Sequence, residues 1–198
     1  MKKTLIIPFA CLLIATALYS GCKKDEKKDP EPEPTPAAPA PTLYERVGGT
    51  ATVTDPRNSS QMIEKGRLTL RSVVDSAIYV IAADTVMTKY FGMLLAEVGA
   101  NNTTGFAALS KNFTDFLCSA TGAKNATYAY TGKSMKAAHD PATHNRMGMK
   151  VNAADFDKFV GDIGVALAKN GVNSTNNKAL VDDLVALLYT TKTDVVQR

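Results

Sequence analysis

The stretch "YTGKSMKAAHDPATH", from Tyr130 to His144, contains both histidines of the 198-residue chain. Its pattern predicts a short helix that runs into a loop. On a continuous helix His139 and His144 would point about 140° apart, so one helix face would not present both to a single ion. A zinc site usually needs three or four ligands, and Asp140 is the only carboxylate close by. No nucleophile-elbow motif indicates a serine hydrolase either. Both kinds of site are therefore disfavoured.

A haem iron needs only one protein ligand, because the porphyrin supplies the other four nitrogens. His139 has suitable surroundings, since Met135 lies one turn earlier on the same face and Ala138 is small enough to let a macrocycle approach. The cations nearby suit two haem propionates: Lys133, Lys136 and Arg146. A lone histidine is also common at surfaces and in satisfied cores. The residues by themselves leave the haem and the structural interpretations open.

Four apolar stripes with helical spacing follow Leu43, and no alternating strand pattern extends beyond a few residues. The stripes are Leu70, Val73, Val74, Ala77 and Ile81; Phe106, Leu109, Phe113, Phe116 and Leu117; Phe156, Phe159, Val160, Ile163 and Leu167; and Leu180, Leu184, Leu187 and Leu188. Asn152 is a plausible cap for the third helix. The sequence predicts an all-α domain, with these side chains packed in its core.

The N-terminus predicts export. Residues 1–21 have two lysines, an apolar run too short to span a bilayer comfortably, and small residues before Cys22, which is typical of a lipoprotein signal peptide. We expect Cys22 to be lipidated. Residues 22–42 are first charged and then rich in proline, as in a disordered, semi-rigid tether. The folded domain is expected over residues 43–198, on a protein that is lipid-anchored in the cell envelope, at the outer membrane.

Two function classes are disfavoured by composition. Cys118 would be the only cysteine of the folded part, so we expect no intrachain disulfide and a buried thiol rather than a nucleophile. The net charge of +4 comes partly from lysines of the signal and tether. No basic stripe interleaves with aromatic residues, so we expect no nucleic-acid partner.

Five motifs in one order resemble a known family: "LYERVGG" (43–49), "LRSVVDS" (70–76), "FLCSATGA" (116–123), "YTGKSMKAAH" (130–139) and "ADFDKFVGDI" (154–163). Together they are similar to the group I truncated hemoglobins, over nearly the whole chain from Leu43 onward. The resemblance implies a shortened globin, a two-over-two helical sandwich around a haem. Gly48 and Gly49 match a turn that closes a vestigial first helix.

The resemblance also implies the roles of residues. His139 matches the proximal ligand of the iron in haem b, with His144 as a competitor in a shifted register. The remaining residues expected to contact the cofactor are Tyr79, Phe91, Leu109, Phe113, Lys133 and Met135. The family's distal tyrosine falls on Ile78 in an ungapped alignment, with Tyr79 next to it, and only one of these neighbours can face the iron. Leu109 and Phe113 are apolar, so we expect the pocket to lack a strong hydrogen-bond donor to bound gas.

Departures from the family lie at residues 50–69, where about twenty extra residues are expected to form a surface insert, and in the long run from Phe91 to Gly105.

The resemblance implies reversible binding of oxygen or another diatomic gas, NO or CO. The alternatives are nitric oxide dioxygenase activity with an external reductase, a peroxidase-like side activity, a haem or gas sensor or carrier, and a globin fold without haem.

Overall fold

The computed structural model of the protein describes residues 38–198. The predicted signal peptide, the expected lipidation at Cys22 and the predicted tether up to residue 37 lie outside the described residues. No helix within residues 38–198 combines the length and the apolar run that crossing a bilayer requires.

The domain begins at a capping box around Thr42. The Thr42 hydroxyl accepts from the backbone N–H of Glu45 at 3.2 Å, and the Glu45 carboxylate accepts from the backbone N–H of Thr42 at 2.6 Å. This closes a one-turn helix, α1 (Leu43–Arg46). Gly48 then adopts a φ of 130°, which other residues rarely reach, so the predicted glycine turn is present.

The remaining elements follow in order. The hairpin strands are β1 (Thr52–Asp55) and β2 (Asn58–Glu64). The helices are α2 (Lys65–Ala83), α3 (Gly92–Gly99), α4 (Thr104–Thr121), α5 (Met135–Ala138), α6 (Ala153–Lys169), α7 (Lys178–Tyr189) and α8 (Lys192–Val195). Two 3-10 turns, Thr88–Tyr90 and Ala126–Tyr128, connect them.

Helices α2 and α4 form one layer and α6 and α7 form the other, and the layers meet mainly where α2 packs on α6. The whole predicted stripe of α2, from Leu70 to Ile81, is buried, with no residue of the stripe more than 5% exposed. Phe156 and Leu167 of α6 and Leu184 of α7 complete the core. The predicted all-α, two-over-two sandwich is confirmed.

The expected insert is an antiparallel hairpin, which the sequence pattern did not predict. The partners run from Thr52 opposite Glu64 to Asp55 opposite Asn58. Its outer positions are exposed and, apart from Met62, polar. Arg71 of α2 holds the tip through two bonds to Asp55, of 2.9 and 2.6 Å. The last five residues assigned to the insert, 65–69, instead form the first turns of α2.

The base of the hairpin is tied into the helical body through Glu64. Its carboxylate accepts from the Tyr44 hydroxyl at 2.8 Å and from the Asn125 amide at 2.9 Å. Beside it, a Cβ on Gly66 would lie 2.9 Å from the Tyr44 ring, so this helix start requires glycine. The insert is therefore a surface excursion with a structural anchor.

Helix α4 buries its polar face. Ser110, Thr114, Asp115 and Thr121 are all at most 3% exposed, whereas Phe106, Leu109, Phe113 and Phe116 are only partly buried. Asp115 is compensated by Arg67 of α2 at 2.7 Å and by Lys111 at 2.6 Å. Because the polar side is packed against α2, the apolar stripe of α4 does not simply fill the core as predicted. It faces a cavity.

Candidate functional site: an apolar cavity with two histidines

A cavity of about 510 Å³ lies between the layers of helices, within the size range of small-molecule and cofactor sites. Each of the two main layers contributes to its walls, as do α3, the segment from Tyr130 to Val151, and the C-terminal turns. Most of the wall is aliphatic or aromatic, with few polar groups. All seven residues that the sequence assigned to the cofactor and its metal are in this lining: Tyr79, Phe91, Leu109, Phe113, Lys133, Met135 and His139.

His139 is the C-cap of α5, directly after a single turn that Ser134 caps at its start. Its Nδ1 lies 2.8 Å from the carbonyl oxygen of Met135. A carbonyl can only accept, so Nδ1 carries the proton and Nε2 keeps its lone pair. This arrangement, with Nδ1–H bonded to a backbone carbonyl, is the usual one for a histidine that binds a metal through Nε2.

The electrostatics of His139 favour a neutral ring. Burial lowers its pKa, and the nearby His144 acts in the same direction, while the hydrogen bond to the Met135 carbonyl opposes them. A neutral imidazole is the form that binds iron.

His144 lines the same cavity, which the sequence argument did not anticipate. The helix ends at Ala138, so the 140° separation of a continuous helix does not apply. A turn at Asp140 follows, in which the His144 N–H donates to the Asp140 carbonyl at 2.8 Å. The His144 Nδ1 lies 2.9 Å from the Ala138 carbonyl oxygen, so in the neutral ring the proton is on Nδ1 and the lone pair is on Nε2. Both imidazoles therefore qualify chemically as ligands.

The wall supplied by α2 and α4 is apolar where it is buried. Ile78 is 5% exposed and packs in the core, whereas the neighbouring Tyr79 is 68% exposed and rests on Phe106, with ring centroids 5.8 Å apart. Both line the cavity, Tyr79 through an exposed ring. Asn112, the nearest amide on α4, is exposed as well.

The predicted cations are distributed unequally. Lys133 and Arg146 line the cavity, while the side chain of Lys136 is exposed and absent from the lining. Lys133 donates to the Thr143 carbonyl, and Arg146 pairs with Glu97 at 3.0 Å. Each of the two cations at the cavity is thus held by a protein partner.

Part of the cavity lining was not predicted from the sequence. Leu94, Leu95 and Val98 of α3 line the cavity. They lie in the segment from Phe91 to Gly105, for which the sequence predicted only unusual length. Met147 and Val151 follow the second histidine. The signal that could have found them is the apolar spacing of Leu94, Leu95 and Val98, which is a helical face in its own right.

The possible metal ligands at the cavity fit one class of cofactor. Within residues 38–198, no three side chains of His, Cys, Asp or Glu gather closely enough to hold an ion by themselves. A large apolar cavity with imidazole Nε2 atoms at its wall matches instead a flat, mostly apolar macrocycle that brings its own nitrogens. The chain's three cysteines form no C-x-x-C-H motif, so thioether attachment of such a group has no site.

Comparison with known proteins gives the fold. No protein-family model matches the chain, and no curated protein matches it significantly. Among solved structures, three variants of the truncated hemoglobin from Tetrahymena pyriformis, all in the Fe(III) form, are similar. Their sequence identities are 21%, 20% and 20%, and their TM-scores are 0.55, 0.53 and 0.51. Each match covers 80% of this chain and 100% of the other. The chain has the truncated globin fold.

Proposed function

We propose that the chain binds one haem b in this cavity through His139 and holds a diatomic gas at the iron. One observation carries the proposal: the apolar stripe of α4 is only partly buried and lines a cavity beside the partly buried imidazole of His139, whose Nε2 carries no proton. The truncated globin fold and the "SMKAAH" motif support the same assignment, and the five motifs support placement in group I. When bound, haem would supply an iron that can bind oxygen, NO or CO.

The residues of the chain would have distinct tasks. His139 would hold the iron, oriented by the Met135 carbonyl. Phe91, Leu109, Phe113 and Met135 would contact the apolar faces and edges of the macrocycle and exclude water. Lys133 and Arg146 would lie near the propionates at the rim of the cavity. His144 would remain uncoordinated, because it sits in the loop beyond Pro141 rather than directly on the α5 turn.

The apolar wall predicts weak stabilisation of bound oxygen. Substituting Leu109→Gln places an amide donor on this wall, and a net hydrogen bond contributes about 0.5–1.5 kcal/mol. Oxygen dissociation should then slow by roughly two- to tenfold, while CO dissociation, measured in parallel by stopped flow, should change much less because CO is a weaker acceptor.

The matched control is Tyr79→Phe. Its ring is exposed and packs on Phe106, so loss of the hydroxyl should leave oxygen dissociation nearly unchanged. If Tyr79→Phe accelerates dissociation strongly, Tyr79 rather than Ile78 faces the gas, and the proposed apolar gas site is wrong.

The hairpin should be dispensable for haem binding. Replacing residues 54–62 by Asn-Gly joins the paired residues Val53 and Ile63 through a two-residue turn and keeps the Glu64 anchor. None of the deleted residues lines the cavity, so haem stoichiometry should be unchanged when the variant is titrated with hemin and followed by absorbance in the Soret region. Loss of haem in this variant would show that the insert has a direct role in the site.

The contrasting variant is Glu64→Ala. It leaves the buried Tyr44 hydroxyl without its acceptor, so the free energy of unfolding should fall by about 1–3 kcal/mol. Urea denaturation followed by circular dichroism measures this difference.

The envelope location is a separate proposal, supported by the sequence of residues 1–42. Lipid on Cys22 would anchor the protein and the proline-rich tether would hold the globin away from the membrane. Cys22→Ser should move the protein from the membrane fraction to the soluble fraction on immunoblots. Unchanged membrane partition would exclude anchoring through this residue.

A further inference from the structure

Three tyrosines line the cavity, and their hydroxyls have different partners. Tyr90 is 1% exposed and donates to the Asp155 carboxylate at 2.5 Å. Tyr130 donates to the backbone carbonyl of Lys133 at 2.6 Å, which is a poor base. Tyr79 is exposed to solvent. Among these three, only Tyr90 has a carboxylate in position to take its proton.

Several residues hold the Asp155 carboxylate in place beside Tyr90. It lies in the first turn of α6, is 6% exposed, and also lines the cavity. Lys89 contacts the same carboxylate oxygen at 2.8 Å, and Arg198 lies 3.7 Å from it. The bond from Lys89, followed by the bond from Tyr90, lowers the pKa of Asp155, while burial and the bond to Asp155 raise the pKa of Tyr90. At neutral pH the proton therefore rests on Tyr90 and the carboxylate is ionised.

We propose that Tyr90 is a redox-active residue that passes electrons to the cofactor while a peroxide is reduced in the cavity, with Asp155 as the acceptor of the phenolic proton. The proposal rests on the proposed function, since it needs the haem. Its basis is the position of one buried phenol with a hydrogen-bonded carboxylate in the cavity wall. An oxidised phenol is a strong acid, so a carboxylate with a lowered pKa is still a sufficient base.

The step balances with a one-electron reductant of the ascorbate class. Reduction of hydrogen peroxide to two waters breaks the O–O bond and takes two electrons and two protons. Each electron leaves Tyr90 as its O–H bond breaks and its proton moves to Asp155, which leaves a neutral phenoxyl radical. The reductant then returns the electron and Asp155 returns the proton, which restores Tyr90. Two reductant molecules release two protons into the solvent, and the formation of two waters takes up two protons.

The surroundings of the pair suit this reversible transfer. Lys89 and Arg198 favour the ionised form of Asp155, so the proton returns to Tyr90 when the radical is reduced. Both cations are partly exposed, with side chains 36% and 44% accessible, so an anionic reductant can approach the pair from solvent. A buried bond between uncharged groups would offer neither property.

The test is electron paramagnetic resonance of the haem-loaded full chain, frozen shortly after mixing with hydrogen peroxide. Ring-deuterated tyrosine identifies the radical, because it narrows a tyrosyl signal and no other. Tyr90→Phe should abolish the tyrosyl signal, and Tyr130→Phe, the matched control on the same cavity, should retain it. Asp155→Asn keeps the phenol but removes the base, so its signal should be strongly reduced.

Each remaining outcome is decisive. A deuterium-sensitive signal that persists in Tyr90→Phe, or no such signal in the unaltered chain that carries a Soret band, overturns this inference and leaves the proposed function intact. Absence of a Soret band in the unaltered chain contradicts the proposed function and this inference together. If Tyr90→Phe fails to fold by circular dichroism, full signal in Asp155→Asn overturns the proposal.

Discussion

His139→Ala should abolish stoichiometric haem uptake, or leave a haem with a shifted Soret band. The substitution removes the imidazole that lies directly on the α5 turn, with its Nδ1 fixed by the Met135 carbonyl and its Nε2 free at the cavity wall. Iron would then lose its protein ligand, and the apolar contacts alone would hold the macrocycle. The measurement is the absorbance of purified, haem-reconstituted protein, scaled to protein concentration.

The matched control is His144→Ala, which removes a second imidazole from the same cavity. The two histidines have the same kind of bond, Nδ1 to a backbone carbonyl, so the pair of variants tests position rather than chemistry. We expect stoichiometry and Soret maximum to stay nearly unchanged in His144→Ala. The reverse pattern would move the ligand into the loop.

Asp115→Ala should cost about 3–5 kcal/mol of the free energy of unfolding, as is typical when one partner of a buried ion pair is removed. The Asp115 side chain is 2% exposed and faces Arg67, itself only 13% exposed, at 2.7 Å. Loss of the carboxylate leaves the guanidinium of Arg67 without compensation between α2 and α4. Urea denaturation with linear extrapolation measures the loss.

Two further variants test whether burial causes the large loss of stability expected for Asp115→Ala. Asp182 forms a similar pair with Lys178, but both side chains are more than half exposed, so Asp182→Ala should change stability by less than about 1 kcal/mol. In Asp115→Ala combined with Arg67→Met, the uncompensated charge is gone and much of the lost stability should return. Equal losses in Asp115→Ala and Asp182→Ala would contradict the interpretation of α4 as a helix that buries its polar face.

The sequence predicted the parts of the fold in which the apolar face of a helix packs against other side chains of the domain. The stripe from Leu70 to Ile81 is buried throughout, and Asn152 caps α6 as expected, accepting from the Asp155 N–H at 2.8 Å. Such positions are decided by local spacing and capping chemistry, which a single sequence displays. The glycine turn at Gly48 belongs to the same class.

Other features depend on which element covers a face, and spacing does not encode that. The stripe from Phe106 to Phe116 was interpreted as core, but burial of Ser110 and Asp115 against α2 turns it toward the cavity. The hairpin of residues 52–64 is short and mostly polar, so it has no apolar alternation to reveal it. His144 reaches the cavity only because α5 ends at Ala138, one residue before His139.

The most direct test of the central claim, that this cavity holds one haem through His139, is a titration of the unaltered protein with hemin, followed in the Soret region. We expect a saturable Soret band with its break point at one haem per chain in the unaltered protein, and either no such break point or a shifted Soret maximum in His139→Ala under the same conditions. A linear increase without saturation in the unaltered protein, or an identical break point together with an unchanged Soret maximum in His139→Ala, would contradict the claim.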